Sequence, residues 1–406
     1  MVTRVKSTAF IGTVIGIAAL AAGILFAVTR RPTPPDWEVV GRFHKLYHDV
    51  YASEHGFLYR HRFDLYIMCD WQGRERWRVT VTAKPAERLE SLVLSPSGHF
   101  FATAHAAKTD HLITTYRDGK MVASTVIPTS APFTRMQVFD NGRVLLVLDA
   151  RLYLIAGATI LAEHKYPQGE GVAVSPDGTV LIAPYADTRR HAPANYVYAK
   201  CRLSHGRFVP ETTLRLTVQR QHPNQWILSR DGTAIFCDGT VITPTHRVIR
   251  NDGWSTITHA FTRHTAGDYL IQYSGDPVTA YRFYNPMTLD WWQIPSSNAS
   301  THVNPLDLSR DGQTVFVRSG SDDNTLKVAR DGYLEEPGVA YLVYHRHRGI
   351  MARMTVNRMN RLLGKEQGIA DAYLSPDGRM LLVDTWFLGR EERESDAVLL
   401  RIVPSH

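Results

Sequence analysis

An all-β fold of small repeated sheets follows from two features: one turn motif that recurs along the chain, and the apolar runs that flank it. The motif is Ser175-Pro176-Asp177-Gly178, repeated as Ser95-Pro96-Ser97-Gly98, Ser229-Arg230-Asp231-Gly232, Ser309-Arg310-Asp311-Gly312 and Ser375-Pro376-Asp377-Gly378. Each copy divides two short apolar segments, as between Leu92-Val93-Leu94 and Phe100-Phe101, or Ala372-Tyr373-Leu374 and Met380-Leu381-Leu382-Val383. Strand, tight turn, strand is the pattern. Pro presets φ at the first central turn position, and Gly takes the left-handed one. Degenerate copies at Asp140-Asn141-Gly142 and Ala266-Gly267-Asp268 complete a series of turn glycines at 98, 142, 178, 232, 267, 312 and 378. Their spacing averages about 47 residues, the period of a four-stranded propeller blade. The prediction is a β-propeller of seven four-stranded antiparallel blades, with eight as the alternative if residues 43–83 form a sheet of their own.

The chain begins with a short tail, residues 1–6, and then a run of 22 residues without a charge, 7–28. That length spans a bilayer, so one transmembrane helix is expected. A cleaved signal peptide is the rival reading, with Arg4 and Lys6 as its basic region and Ala19-Leu20-Ala21 as its cleavage site; the apolar run extends well past it. Arg4 and Lys6 are matched by Arg30 and Arg31, so the charge rule does not orient the helix. Short tails on single anchors usually stay cytoplasmic, and the expected location is a single-pass membrane protein with an extracytoplasmic domain. Gly12, Gly16, Ala19 and Gly23 would permit helix pairing and hence a helix-mediated dimer. Residues 29–36 are proline-rich and read as a stiff linker. From Trp37 to the last residue, 37–406, the strand signals continue without a second boundary.

Within the repeat a second turn type recurs. Asp70-Trp71-Gln72-Gly73, Tyr116-Arg117-Asp118-Gly119-Lys120 and Ala329-Arg330-Asp331-Gly332 each lie between strand-like runs and read as outer hairpins, the third and fourth strands of a blade. The last repeat is one strand short. Val39-Val40 or the 57–82 hairpin would have to complete it and close the ring, leaving no open edge.

The Ser-Pro-Asp-Gly turns followed by an apolar strand resemble the WD-like repeats of TolB-type β-propellers, from residue 57 onward. The resemblance implies the fold and little about function, since such repeats occur in scaffold, transport-associated and peptidase-linked propellers alike. The Asp70 to Trp77 hairpin is similar to a repeat of quinoprotein-type propellers but occurs once, which disfavours quinone binding. No Gly-x-Ser-x-Gly elbow of an α/β-hydrolase is present.

Composition excludes several functions. Net charge is +7, from 46 basic and 39 acidic residues, but the basic residues are scattered, so no nucleic acid partner is expected. Cys69, Cys201 and Cys237 show no metal or redox spacing and read as buried hydrophobes. His345-Arg346-His347-Arg348 with Met351, Met354, Met359 and Leu362 fits an amphipathic helix, but the flanking strand-like runs favour a hairpin turning at Gly349, with a loop inserted near 320–337. His345 with His347, and His44 with His48, are spaced to share a face but lack a third ligand; Asp322-Asp323 reads as solvated surface. Asn298-Ala299-Ser300 is a glycosylation acceptor only in a eukaryotic secretory protein. One ring of Trp291-Trp292 should face a neighbouring blade. No cofactor or metal is expected.

The function expected is non-catalytic: a membrane-anchored propeller binding a protein or an envelope component. The alternative is a propeller enzyme of hydrolase or lactonase type with a site at the channel mouth. That would need several polar residues on the inner strands, where only Asp371 and Asp307 put carboxylates. Turns between first and second, and third and fourth, strands share one face and are short. The other connections are long and mixed, and binding residues concentrate on such loops. Arg189, Arg190, His222, Trp386 and Arg390 are the binding residues predicted there, because Arg and Trp contribute disproportionately to interface energy.

Overall fold

The computed structural model describes residues 37–46, 49–82, 87–149, 151–165, 302–320, 340–363, 367–387 and 394–403, together with the further strands named below between 173 and 335. Among the described residues are eight four-stranded antiparallel sheets and one two-stranded hairpin. Residues 50–80, 88–127, 133–165, 173–218, 226–250 and 254–293 each supply four strands in chain order, and we number these blades 1 to 6. Blade 7 covers 302–355 and is interrupted between its second and third strands by the hairpin of Lys327–Val328 and Leu334–Glu335. Blade 8 takes three strands from Gln367–Leu374, Met380–Phe387 and Glu394–Ile402, and its outer strand from Trp37–Leu46.

The count is therefore eight, which corrects the seven blades expected. Blade 1 escaped the count because its first turn is Ser53-Glu54-His55-Gly56, without the Pro and Asp that mark the others. The Ser53 hydroxyl still closes that turn by donating to the Gly56 carbonyl at 3.0 Å. A second correction concerns Ala329-Arg330-Asp331-Gly332. Those residues lie outside the described ones, but the strands on either side, Lys327–Val328 and Leu334–Glu335, pair with each other in a separate hairpin between the second and third strands of blade 7 and are not its third and fourth strands. The hairpin at Gly349 is present, joining Ala340–His345 to Gly349–Thr355, and a helix, Val356–Leu363, follows it. Residues 7–28, on which the membrane helix was expected, lie outside the described residues, as does the linker 29–36. Among the described residues no helix is long and apolar enough to cross a membrane.

The recurrent turn has a local explanation. In blade 8 the Ser375 hydroxyl donates to Asp377 at 2.6 Å and accepts the Met380 amide at 2.9 Å. Blade 7 repeats this with Ser309, Asp311 and Thr314, at 2.7 and 2.9 Å. The serines are buried, so each hydroxyl needs both partners, and the motif supplies them within five residues. Gly378 has φ of +66°, and a Cβ there would meet the Thr314 side chain of blade 7 at 2.7 Å. Conformation and packing both demand glycine. Turns also bond to the next blade: Glu54 N–H to the Pro96 carbonyl, and Arg310 N–H to that of Pro376.

Apolar faces of successive blades form the core. Leu58, Tyr66, Met68 and Val79 of blade 1 pack on Leu92, Phe101 and Tyr116 of blade 2. Phe101 and Tyr116 stack at 4.3 Å, and fully burying a ring of this size contributes about 1.5–3 kcal/mol. Phe57, Cys69 and Trp71 of blade 1 share a core with Tyr373, Leu382 and Leu399 of blade 8, which joins the last blade to the first. Trp292 of blade 6 is buried against Tyr344 of blade 7 and donates to the Gly312 carbonyl, while Trp291 is half-exposed, the division expected at strand spacing. Cys69 and Cys201 are buried, and burial pushes the Cys69 thiol up to about 12. Cys237 ends the strand Ile235–Cys237.

Candidate functional site

Topology separates two faces. The first–second and third–fourth turns, including 95–99, 309–313 and 375–379, lie on what we call the turn face, and the remaining connections on the loop face. In blade 8 the outer strand starts where the third ends, since Trp37 pairs with Ile402. The chain thus enters the ring on the turn face, and the loop face is opposite.

On the loop face, the best-defined surface runs from the blade 7–8 connection, across the outer strand of blade 8, to blade 1. The helix Val356–Leu363 fills the connection. Thr355 caps its start, its hydroxyl accepting the Arg358 amide at 3.3 Å. Val356, Met359 and Leu363 are buried in one apolar cluster with Tyr341 and Met354. Arg42, on the outer strand of blade 8, closes the other end by donating to the carbonyls of Leu362 and Leu363, the latter at 2.9 Å. A guanidinium at a helix C-terminus satisfies orphan carbonyls and complements the dipole. Arg358 and Arg361 remain exposed, three residues apart on one helix face.

Beside Arg42, Lys45 is wholly buried. Its ammonium lies 2.7 Å from Asp384, itself 2% exposed, and donates to Ser395 Oγ at 2.6 Å and the Thr385 carbonyl at 3.1 Å. This network spans the second, third and outer strands of blade 8. His44, between the two basic residues, is exposed and faces Asp396 at 3.5 Å. Its carbonyl accepts from His61 Nδ1 of blade 1 at 3.0 Å. His44 therefore sits on a strand, which corrects the helical spacing expected with His48.

The loop of blade 1 that follows, His61 to Asp64, ends the surface. Phe63 is 73% exposed yet held from beneath: Arg60 donates to its carbonyl from Nε at 2.9 Å and from Nη2, and lies 5.4 Å from its ring. Arg60 also pairs with Asp49 at 2.9 Å and covers the Tyr66 ring at 5.7 Å. Burial pushes the Tyr66 hydroxyl up to about 12, and burial with the Asp49 charge pushes Tyr51 well above its ordinary value. An exposed aromatic on a loop fixed by an arginine fork is suited to anchoring a partner.

Of the residues predicted from sequence, Arg189, Arg190, His222 and Arg390 lie outside the described residues, as do Asp322, Asp323 and Asn298. Trp386 is within the strand Met380–Phe387, opposite Gly368, and not in the loop where it was expected. The strand continues because it pairs as far as Phe387. The two inner-strand carboxylates are engaged structurally: Asp307 accepts the Leu374 amide of the next blade, and Asp371 accepts from the Tyr373 hydroxyl at 3.2 Å and the Ala372 amide at 2.9 Å. Among the described residues no three His, Cys, Asp or Glu side chains are grouped to hold a metal ion.

No family model matches the chain, and no curated protein matches it. Solved structures resemble it weakly. BamB from Moraxella catarrhalis is 10% identical, with a TM-score of 0.44 over 90% of this chain and 99% of its own. The β-propeller domain of Cps50 (Swd1) from Myceliophteria thermophila is 10% identical, at 0.41 over 87% and 96%. Hydrazine synthase from Kuenenia stuttgartiensis is 12% identical, at 0.37 over 89% and 99%.

Sequence reasoning missed Phe63, Arg60, Arg42 and the helix arginines. A lone Phe inside the polar stretch His61-Arg62-Phe63-Asp64 was a usable signal, as was the three-residue spacing of Arg358 and Arg361. Arg42 carried none, because its partners lie some 320 residues away.

Proposed function

We propose that this chain is a membrane-anchored, non-catalytic propeller of the TolB-like kind that binds a protein or envelope component through its loop face. The observation that carries the orientation is the pairing of Trp37 with Ile402. An anchor at 7–28 and a stalk at 29–36 would leave from the turn face, so the loop face would point away from the membrane. The turn face is made of short repeated turns that bond to one another, and it offers little variety for recognition. The loop face carries the exposed Phe63, the helix arginines and the long connections. Asp307 and Asp371 are occupied by structural hydrogen bonds and lend no support to a channel enzyme. The test is photo-crosslinking in the native membrane, with the crosslinker placed in turn at Arg62 on the loop face and Asn141 on the turn face. Adducts with one partner from position 62 alone are expected; adducts from position 141 alone would overturn the assignment. Carbonate extraction that released the full chain would overturn the anchor.

A further inference from the structure

One outer strand lacks the protection that the others carry. An outer strand ends its sheet, so its outward backbone groups template another strand unless charge or proline discourages it. The outer strand of blade 2, Lys120–Ile127, is the last in its sheet and has seven consecutive residues, 121–127, with neither charge nor proline. No other described outer strand has more than four such residues in a row. Met121, Val122 and Val126 are 66%, 54% and 53% exposed. Thr125 and Ile127 are buried, Thr125 donating to the Gly157 carbonyl of blade 3 at 3.0 Å, so Val122, Ser124 and Val126 share the exposed side. The turn at Gly157 is uncharged as well, and Ile160 beyond it is 39% exposed, which extends the neutral surface. Charges stand only at the ends of the strand, Asp118 and Lys120 at one and Lys108 and Asp110 at the other.

The exposed side reads the same in both directions. Val122 and Val126 flank Ser124 at equal distance, so antiparallel pairing with a second copy about Ser124 sets each valine against a valine and serine against serine. On the other side Ala123 meets Thr125, and Met121 meets Ile127. We propose that two copies of this chain pair edge to edge through residues 121–127, joining their second blades into one continuous sheet about a two-fold axis. A second copy brings the edge's own charge with it, and a strand that has none meets its twin without repulsion. The proposal does not rest on the membrane anchor but agrees with it. Three steps of about 20–25° between neighbouring strands turn the outer strand roughly 60–75° from the inner one that lines the channel. A two-fold axis normal to the sheet at that edge therefore runs closer to the ring axis than across it, and both turn faces lie on the same side.

The experiment uses the full-length protein in detergent, its mass read by light scattering, and the same chain crosslinked in membranes. Wild type should be a dimer. Val122→Lys with Val126→Lys, or Val122→Glu with Val126→Glu, sets like charges opposite one another at both ends of the pairing and should weaken the dimer about tenfold or more. Mixing the Lys and Glu variants should restore it, because each lysine then faces a glutamate; a variant damaged in folding would not be rescued. Ser124→Cys should give a covalent dimer with a short bis-maleimide, since residue 124 faces its own copy, with wild type as the background for the native cysteines. Met121→Cys should not, because its two copies stand about six residues apart along the pair, about 20 Å. A monomeric wild type, a dimer indifferent to the Lys and Glu changes, failure of the mixture to re-form it, or crosslinking from position 121 and not 124 would each overturn the proposal. Adducts of position 124 with a different polypeptide would overturn it too, assigning the edge to a partner's strand. Crosslinks from the turn face alone would sink the functional reading and leave this pairing standing.

Discussion

The closing strand of the ring depends on one buried ion pair, and replacing Lys45 tests how strongly. Lys45 and Asp384 lie 2.7 Å apart with almost no exposure, and the ammonium is further satisfied by Ser395 and Thr385. Lys45→Met keeps most of the side-chain volume but leaves the carboxylate buried without its cation. Breaking one side of such a pair costs about 3–5 kcal/mol. Against a total stability of about 5–15 kcal/mol, the variant should fold but unfold at a much lower urea midpoint. Replacing both partners, Lys45→Met with Asp384→Leu, removes the stranded charge and should recover most of the loss, since paired charges and well-packed apolar groups are often equivalent in a core. The readout is urea unfolding followed by tryptophan fluorescence, compared across wild type, the single and the double variant. The reasoning is refuted if Lys45→Met costs under about 1 kcal/mol, or if the double variant is no better than the single. The same pair fixes register. A slip of one residue along Glu394–Ile402 would turn Lys45 to the opposite face of the sheet.

Two other outcomes are expected. Gly378→Ala forces a Cβ into the left-handed region and onto Thr314, and should destabilise by more than about 1 kcal/mol; an unchanged urea midpoint would show that the turn relaxes freely. His105 is buried between blades 1 and 2 with neither ring nitrogen hydrogen-bonded, and burial lowers its pKa below the ordinary 6.5. The unfolded chain therefore takes a proton that the folded chain resists. Its contribution is full above about pH 6.5 and is lost as pH falls from there through the depressed folded value. Burial lowers His164 and His345 in the same sense. Melting temperature should fall on acidification below about pH 6.5, and His105→Leu should flatten that slope; parallel slopes would rule His105 out.

Local chemistry was legible in the sequence wherever a few adjacent residues settle it. The Ser-x-Asp-Gly turns contain their own hydrogen-bond partners, so strand, turn and strand could be read from Ser309 to Thr314 and from Ser375 to Met380 without knowing the ring. The hairpin at Gly349 was visible for the same reason, and the insertion in blade 7 showed, as a loop, in the long gap between the turn glycines 312 and 378. What the tertiary structure alone decided depends on pairing across long separations. Blade 1 became a sheet of its own although its turn lacks the signature, because its apolar face meets blade 8 on one side and blade 2 on the other. An N-terminal strand was expected to complete the last blade, but only pairing chose Trp37–Leu46 over the 57–82 hairpin, and it buried against Asp384 a lysine that any local reading would expose. The surface on the loop face shows the same limit. Its residues come from the helix after blade 7, the outer strand of blade 8 and one loop of blade 1, and only closure of the ring sets Arg42 beside Leu363 and His61 beside His44.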